Sequence, residues 1–265
     1  MGIFSSYDGT KLAYHGDGSM IGLPGGPMQD SSYLPDLPMV RLDPRGTGES
    51  EIPADPSSYR CDRQVEDVEA LRLHLGLDRI TLLGHSAGTN LAVLYATRYP
   101  ERVAKLVLVT PSPFAVGLNV SPAVRRAVMR HRAEEPWFAK GSAAFERIVV
   151  GQGTPDDWAD LVPFTYGRWD AKARAHHAAQ RRNDEAAAIF GSAFDPAATR
   201  DALAGFTAPT LLIAGTFDTN SPVPIVAEYA DLFPQARMDV LAGGGHFPWL
   251  DHPSWFAETV ESFIR

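Results

Sequence analysis

The sequence predicts an α/β protein with a mostly parallel central sheet, flanked by helices on both faces and interrupted by a helical lid insertion. Short apolar runs with strand character alternate with segments in which apolar residues recur at helical spacing. The alternation stops between residues 113 and 201, where only helical patterns occur, and then resumes. We therefore expect a first part of the core at 1–112, the lid at 113–201 and a second part of the core at 202–265.

The elements of this arrangement follow from periodicity and from turn residues. In the first part of the core, the predicted strands lie at 12–15, 19–23, 39–42, 80–83 and 103–109, and the predicted helices at 61–75 and 86–98. Helical patterns in the lid cover 121–133, 141–150, 155–162 and 170–189. The second part has predicted strands at 210–214 and 237–241 and a closing helix at 253–264.

A candidate nucleophile lies between the fourth of these strands and the helix that follows it. The segment Gly84-His85-Ser86-Ala87-Gly88 has a strand before it and a helix after it. A serine in such a tight, strained turn needs small neighbours, because strand and helix must approach closely. In that context a G-x-S-x-G pattern predicts a nucleophile elbow that exposes the hydroxyl of Ser86.

A serine hydroxyl is a poor nucleophile at neutral pH, so it needs a base, and the base needs an orienting carboxylate. Asp218 follows the strand at 210–214, and His246 follows the strand at 237–241 through a glycine-rich loop. The order serine, acid, histidine along the chain matches this architecture. We therefore predict a catalytic triad of Ser86, Asp218 and His246.

Other residues fit these two roles less well. The alternative acid position follows the strand that ends at Val109, but Thr110-Pro111-Ser112 contains no carboxylate. His85 adjoins the serine, so its ring cannot easily reach the serine oxygen. His176 and His177 lie in a helical pattern of the lid, and we expect both at the surface.

Acyl transfer also requires two backbone N–H groups directed at the developing oxyanion. We expect one from Ala87, the residue after the nucleophile, and one from Gly26 in the loop Pro24-Gly25-Gly26-Pro27. The segment 43–50, Asp-Pro-Arg-Gly-Thr-Gly-Glu-Ser, is predicted to be structural, with Asp43 and Arg45 forming an ion pair beside this loop.

Composition limits the classes of partner. The chain has 24 basic and 32 acidic residues and a formal net charge of −8, which argues against nucleic acid as a partner. A single cysteine excludes an intramolecular disulfide, and no Cys/His cluster indicates a metal site, so we expect no metal and no cofactor. The first residues lack a signal-peptide pattern, and no run approaches the ~18 apolar residues of a membrane span. We therefore expect a cytoplasmic protein with no membrane partner.

These motifs together resemble the α/β-hydrolase superfamily over nearly the whole chain. Within it, the Pro-Gly-Gly-Pro loop, the segment 43–50 and the helical lid are similar to those of proline iminopeptidases and related amide hydrolases. The resemblance implies removal of an N-terminal or aminoacyl residue from a small molecule or short peptide, through an acyl-enzyme on Ser86. Because lid carboxylates hold the free amino group in that family, it implies substrate binding by Glu134, Glu135 and neighbouring Trp137.

Three residues depart from the iminopeptidase pattern. Pro24 stands where that family usually has histidine, Met28 where it has glycine, and Ala87 where it has tryptophan. A carboxylic-ester hydrolase, an acyltransferase and a ligand-binding module with the same fold therefore remain as alternatives. The oligomeric state is not predicted. A group of lid aromatic residues could form either a cavity wall or the lid's own core: Trp137, Phe138, Trp158, Phe164, Tyr166 and Trp169.

Overall fold

The computed structural model describes residues 1–265 and contains one eight-stranded sheet. The strands are β1 (Gly2–Ser5), β2 (Lys11–His15), β3 (Met20–Leu23), β4 (Val40–Leu42), β5 (Ile80–His85), β6 (Val103–Val109), β7 (Thr210–Gly215) and β8 (Ala236–Leu241). Their order across the sheet is β1-β2-β4-β3-β5-β6-β7-β8. Only the β1–β2 and β2–β4 pairs are antiparallel, which confirms the predicted mostly parallel sheet.

Eleven α-helices surround or extend this sheet. They are α1 (Cys61–His74), α2 (Gly88–Arg98), α3 (Pro122–Met129), α4 (Phe138–Val149), α5 (Pro155–Leu161), α6 (Ala171–Ala179), α7 (Asp184–Phe190), α8 (Pro196–Ala204), α9 (Val223–Ala230), α10 (Pro248–Asp251) and α11 (Pro253–Ile264). None of them combines the length and the apolar character that a membrane crossing would require.

Both faces of the sheet are buried, as the apolar strands predict. Successive side chains of a strand point to opposite faces, and in β5 Leu82 joins one hydrophobic core while Leu83 joins another. The larger core packs against α1, α2 and α9, and the smaller one against α11. Because β3 and β5 to β8 run parallel, the loops that follow them meet at one edge of the sheet.

The chain between β6 and β7 is helical and contains no strand. The helix predicted at 170–189 is interrupted, because α6 ends at Ala179 and α7 begins only at Asp184. Between them, Arg182 forms an antiparallel bridge with Gln29 in the loop after β3. Asn183 then caps α7 by accepting a hydrogen bond from the backbone N–H of Ala186. The end predicted for the insertion, residue 201, lies inside α8.

Arg45 does not pair with Asp43, so that part of the prediction for the segment 43–50 is wrong. The fully buried Arg45 donates through Nε to Asp67 Oδ2 at 2.8 Å and through Nη1 to Asp8 Oδ2 at 2.7 Å. Asp43 instead accepts hydrogen bonds from the backbone of Ser31, at 2.9 Å, and lies 3.0 Å from His15 Nε2. The segment is structural, but its charges pair with other parts of the chain.

Substituting Arg45→Gln should lower the free energy of unfolding by about 3–5 kcal/mol, because it leaves the buried carboxylate of Asp67 without a counter-ion. Denaturant unfolding of both proteins measures the difference. Arg237→Gln is the matched control, since Arg237 pairs with Asp239 at the surface and water screens that pair. Equal effects of the two substitutions would contradict this account of Arg45.

Candidate active site

Ser86 lies in the turn between β5 and α2 and adopts a left-handed backbone conformation, with φ of 50°. Glycines flank it because no side chain fits there. A Cβ on Gly84 would lie 2.8 Å from Cα of Thr89, and a Cβ on Gly88 would lie 2.3 Å from the carbonyl oxygen of Leu23. This is the strained strand-to-helix turn that the sequence predicts.

Backbone strain is concentrated around this turn. Only three non-glycine residues of the chain have positive φ, namely Met28, Ser86 and Thr110. They follow β3, β5 and β6, so all three lie at the same edge of the sheet. Such conformations cost free energy and persist mainly where the surrounding structure imposes them, often at functional sites.

Asp218 and His246 meet at this edge, although 28 positions separate them in the chain. Nδ1 of His246 lies 2.7 Å from Oδ2 of Asp218, whose side chain is completely buried. The other carboxylate oxygen accepts backbone N–H groups of Asn220, at 2.8 Å, and Ser221, at 3.1 Å. Asp218 therefore forms an Asx turn and also orients the imidazole, leaving Nε2 of His246 for another partner.

Ser86 and His246 line the same cavity, which has a volume of about 1160 Å³. The hydroxyl of Ser86 is not hydrogen-bonded to His246; such contacts are often long without substrate and tighten in the reacting complex. The wall of the cavity comes from both the sheet edge and the helical insertion, which contributes Trp158 and the segment between α6 and α7.

Gly26 and Ala87 also line the cavity beside Ser86. Neither of their backbone N–H groups donates a hydrogen bond within the protein, so both are available to an oxyanion. The N–H of the neighbouring Gly25 is not available, because it donates to Oη of Tyr33 at 2.6 Å. This difference supports Gly26 rather than Gly25 as the donor from this loop.

A buried hydrogen-bond chain that the sequence did not predict connects this loop to His246. The carbonyl of His246 accepts Nε2–H of His85 at 2.9 Å, so Nδ1 of His85 must accept from the hydroxyl of Tyr33 at 2.8 Å. Burial and the neighbouring His246 lower the pKa of His85 well below its usual value, which keeps the ring neutral. No local sequence signal could identify this role, because its three partners come from distant segments.

The residues predicted to bind a substrate amine do not line the cavity. Glu134 is exposed, and Glu135 accepts a hydrogen bond from Arg132 at 2.9 Å. Trp137 packs edge-on against Phe164 with a centroid distance of 4.7 Å and stacks under the guanidinium of Arg132. The structure therefore does not bring these three residues to the cavity that Ser86 lines, and their role in substrate binding stays a prediction.

The other aromatic residues of the helical insertion divide between the cavity wall and the hydrophobic cores. Trp158 lines the cavity, and Phe164 lines an adjoining apolar cavity of about 410 Å³. Tyr166 and Trp169 belong to the smaller sheet core, whereas Phe138 packs on Phe164. His177 is exposed at the cavity, as expected for a surface residue.

His176 is partly buried, whereas the sequence predicts a surface residue. Its Nδ1 lies 2.9 Å from the hydroxyl of Tyr166, and its Nε2 is buried without a partner. Burial lowers the pKa of His176 to about 4, so the ring is neutral at pH 7. No group of three or more histidine, cysteine or acidic side chains is arranged to hold a metal ion.

Substituting Tyr33→Phe should lower the free energy of unfolding by about 1–3 kcal/mol, because it leaves a buried imidazole nitrogen and the N–H of Gly25 unsatisfied. Denaturant unfolding gives the stability, and hydrogen exchange at Gly25 should become faster. Tyr14→Phe is the control, since its hydroxyl makes only a 3.4 Å contact with exposed His74. Unchanged stability and exchange in Tyr33→Phe would argue against the chain of hydrogen bonds.

Comparisons with known proteins agree with this geometry. A family model described as the alpha/beta hydrolase fold matches residues 31–253. A proline iminopeptidase of Heyndrickxia coagulans is 25% identical over 87% of this chain and 82% of its own. A 2-hydroxymuconate semialdehyde hydrolase of Pseudomonas putida is 28% identical over 96% and 86%. An esterase from Exiguobacterium antarcticum superposes with a TM-score of 0.72 at 21% identity, over 100% of this chain and 99% of the esterase. The chain therefore belongs to the alpha/beta hydrolase fold family.

Proposed function

We propose that this protein is a serine hydrolase that cleaves carboxylic esters through an acyl-enzyme on Ser86. The observation that carries the proposal is the arrangement of three groups at one sheet edge. Ser86 occupies a strained turn at the cavity, His246 lines the same cavity, and buried Asp218 holds Nδ1 of His246 at 2.7 Å. This arrangement leaves Nε2 of His246 as the base for the serine hydroxyl.

The reaction proceeds in two halves. In the first, Nε2 of His246 takes the proton of Ser86 while Oγ attacks the ester carbonyl, and the N–H groups of Gly26 and Ala87 stabilise the oxyanion. The tetrahedral intermediate collapses, and His246 returns the proton to the departing alcohol. In the second half, His246 deprotonates a water molecule that attacks the acyl-enzyme, which releases the acid and restores Ser86.

The charges of the cavity favour an ester over a substrate with a free amine. A carboxylate is the strongest partner for an ammonium group, and the only carboxylate in the cavity wall belongs to Asp184. That group is already paired, because Arg182 donates to it through Nε at 2.6 Å. Glu146, another acidic residue of the insertion, pairs with Arg126 outside the cavity.

Aminopeptidase activity is the second candidate, and the similarity to proline iminopeptidases favours it. In that case the same acyl-enzyme would form on Ser86, with an amine as the leaving group. Transfer of the acyl group to an alcohol or amine acceptor would also use this intermediate. The bond that is cleaved is therefore the property to measure first.

Substituting Ser86→Ala should reduce ester hydrolysis by at least about 10³-fold, because the groups of a triad act as a unit. Hydrolysis of 4-nitrophenyl butyrate measures the rate, and a fluorophosphonate probe should label the native protein but not this variant. Ser262→Ala is the matched control, since Ser262 bonds to the carbonyl of Thr259 in α11. Unchanged hydrolysis in Ser86→Ala would refute the proposal.

Turnover of 4-nitrophenyl butyrate should exceed turnover of prolyl and alanyl 4-nitroanilides by at least tenfold in kcat/KM. Two physical reasons combine: the cavity has no unpaired carboxylate to hold their amino groups, and a nitrophenyl ester is intrinsically more reactive than an anilide. Both substrates release a chromophore, so one spectrophotometric assay compares them. A preference for the anilides would favour the aminopeptidase instead.

A further inference from the structure

The wall of the cavity is positively charged although the protein as a whole is acidic. The chain has a formal net charge of −8, from 24 basic and 32 acidic residues. The charged residues of the cavity wall are nevertheless three arginines and one aspartate: Arg125, Arg181, Arg182 and Asp184. Arg182 and Asp184 pair with each other, which leaves two guanidinium groups facing the cavity without a carboxylate partner. The composition of the chain therefore does not account for the charge of this site.

Arg125 is the more informative of the two, because it is partly buried. It lies in α3, and its Nη1 donates to the carbonyl of Thr219 at 2.8 Å and to Oδ1 of Asn220 at 3.3 Å. Both acceptors are neutral, and no carboxylate lies within 4.0 Å of the guanidinium. Burial lowers the pKa of Arg125, and the charge of Asp218 opposes this only in part. By contrast, Arg181 is exposed to solvent, which screens its charge.

The neighbouring arginine on the same helix, Arg126, has a carboxylate partner. Arg126 donates through Nε and Nη2 to both carboxylate oxygens of Glu146, each at 2.7 Å. Desolvating a charge without a counter-ion costs free energy, so an arginine in the wall of a cavity is stabilised by an anion that enters it.

The orientation of Arg125 leaves its binding edge free. Because Nη1 is held by Thr219 and Asn220, the Nε–H and Nη2–H groups have no partner within the protein. These two donors form the edge of a guanidinium that binds both oxygens of one carboxylate. Since Thr219 and Asn220 follow Asp218 directly, the guanidinium is hydrogen-bonded to the loop that orients His246.

We propose that Arg125 binds a carboxylate of the substrate, so that the ester cleaved at Ser86 carries a second, negatively charged carboxyl group. This inference rests on the proposed function and specifies its substrate class. Ser86 and Arg125 line the same cavity of about 1160 Å³, which leaves room for a chain between the ester and this carboxylate. Arg125 is therefore a specificity-determining residue, and it takes no part in the chemical step.

A matched pair of esters tests the proposal. Mono(4-nitrophenyl) adipate has a free carboxylate, and its methyl ester has the same chain without the charge. We expect the native protein to prefer the charged ester by at least tenfold in kcat/KM. Arg125→Gln should reduce kcat/KM for the charged ester by roughly 10- to 100-fold and change that of the neutral ester less than about threefold.

Two further variants separate binding from structure. Arg125→Lys keeps the charge but loses the two-donor edge, so it should restore only part of the preference. Arg126→Gln changes the adjacent arginine, which lies outside the cavity, and should leave both rates unchanged. If Arg125→Gln lowers both rates equally, or if the native protein shows no preference for the charged ester, Arg125 is structural and the inference is overturned.

Direct binding distinguishes failure of this inference from failure of the proposed function. Calorimetry with adipate on Ser86→Ala should show binding that weakens at least tenfold in Ser86→Ala combined with Arg125→Gln. Binding of adipate without hydrolysis of either ester by the native protein would support the anion site and contradict the ester hydrolase. Hydrolysis of the neutral ester without any binding of adipate would support the ester hydrolase and contradict the anion site.

Discussion

The close approach of the loop after β3 to the turn after β5 is the constraint on which the site depends. A Cβ on Gly88 would lie 2.3 Å from the carbonyl of Leu23, and a Cβ on Gly25 would lie 2.6 Å from that of His85. Only glycine allows two backbones to come this near. Gly26 and Ala87, whose N–H groups are free, line the same cavity as Ser86.

The same constraint extends to His246 through hydrogen bonds to its backbone. Its carbonyl accepts from His85 at 2.9 Å and from Oγ1 of Thr110 at 3.0 Å, and its N–H donates to Thr165 at 2.8 Å. Two of these partners belong to the sheet edge and one to the helical insertion. The position of the imidazole is thus set by both parts of the chain, which couples the packing of the insertion to the geometry of the site.

The most deeply buried carboxylates of this protein have partners that compensate their charge. The buried carboxylates of Asp67 and Asp218 each have an identifiable partner, and Asp43 is surrounded by donors. Arg125 is one of the partly buried charges whose partners within the protein are all neutral, and it lines the cavity of Ser86. Its position in the cavity wall is what makes a bound anion the partner that we propose for it.

Local patterns were enough to predict the α/β class, nearly every strand of the sheet, and the serine, acid and histidine that follow three of these strands. Periodicity and glycine placement are local properties, so they predict which elements form and which loops follow them. They did not predict β1 or α9, since β1 is a short, half-exposed edge strand and α9 begins with a proline-rich turn.

The pairing of polar side chains, by contrast, became known only from the folded structure. Arg45 bonds to Asp67 rather than Asp43, Glu135 bonds to Arg132 rather than facing the cavity, and Arg125 has no acid at all. Elements could be predicted and side-chain pairs could not, and this difference has one physical cause. An element forms from the pattern of its own residues, whereas a charged side chain pairs with whatever the packing of distant segments brings within about 4 Å.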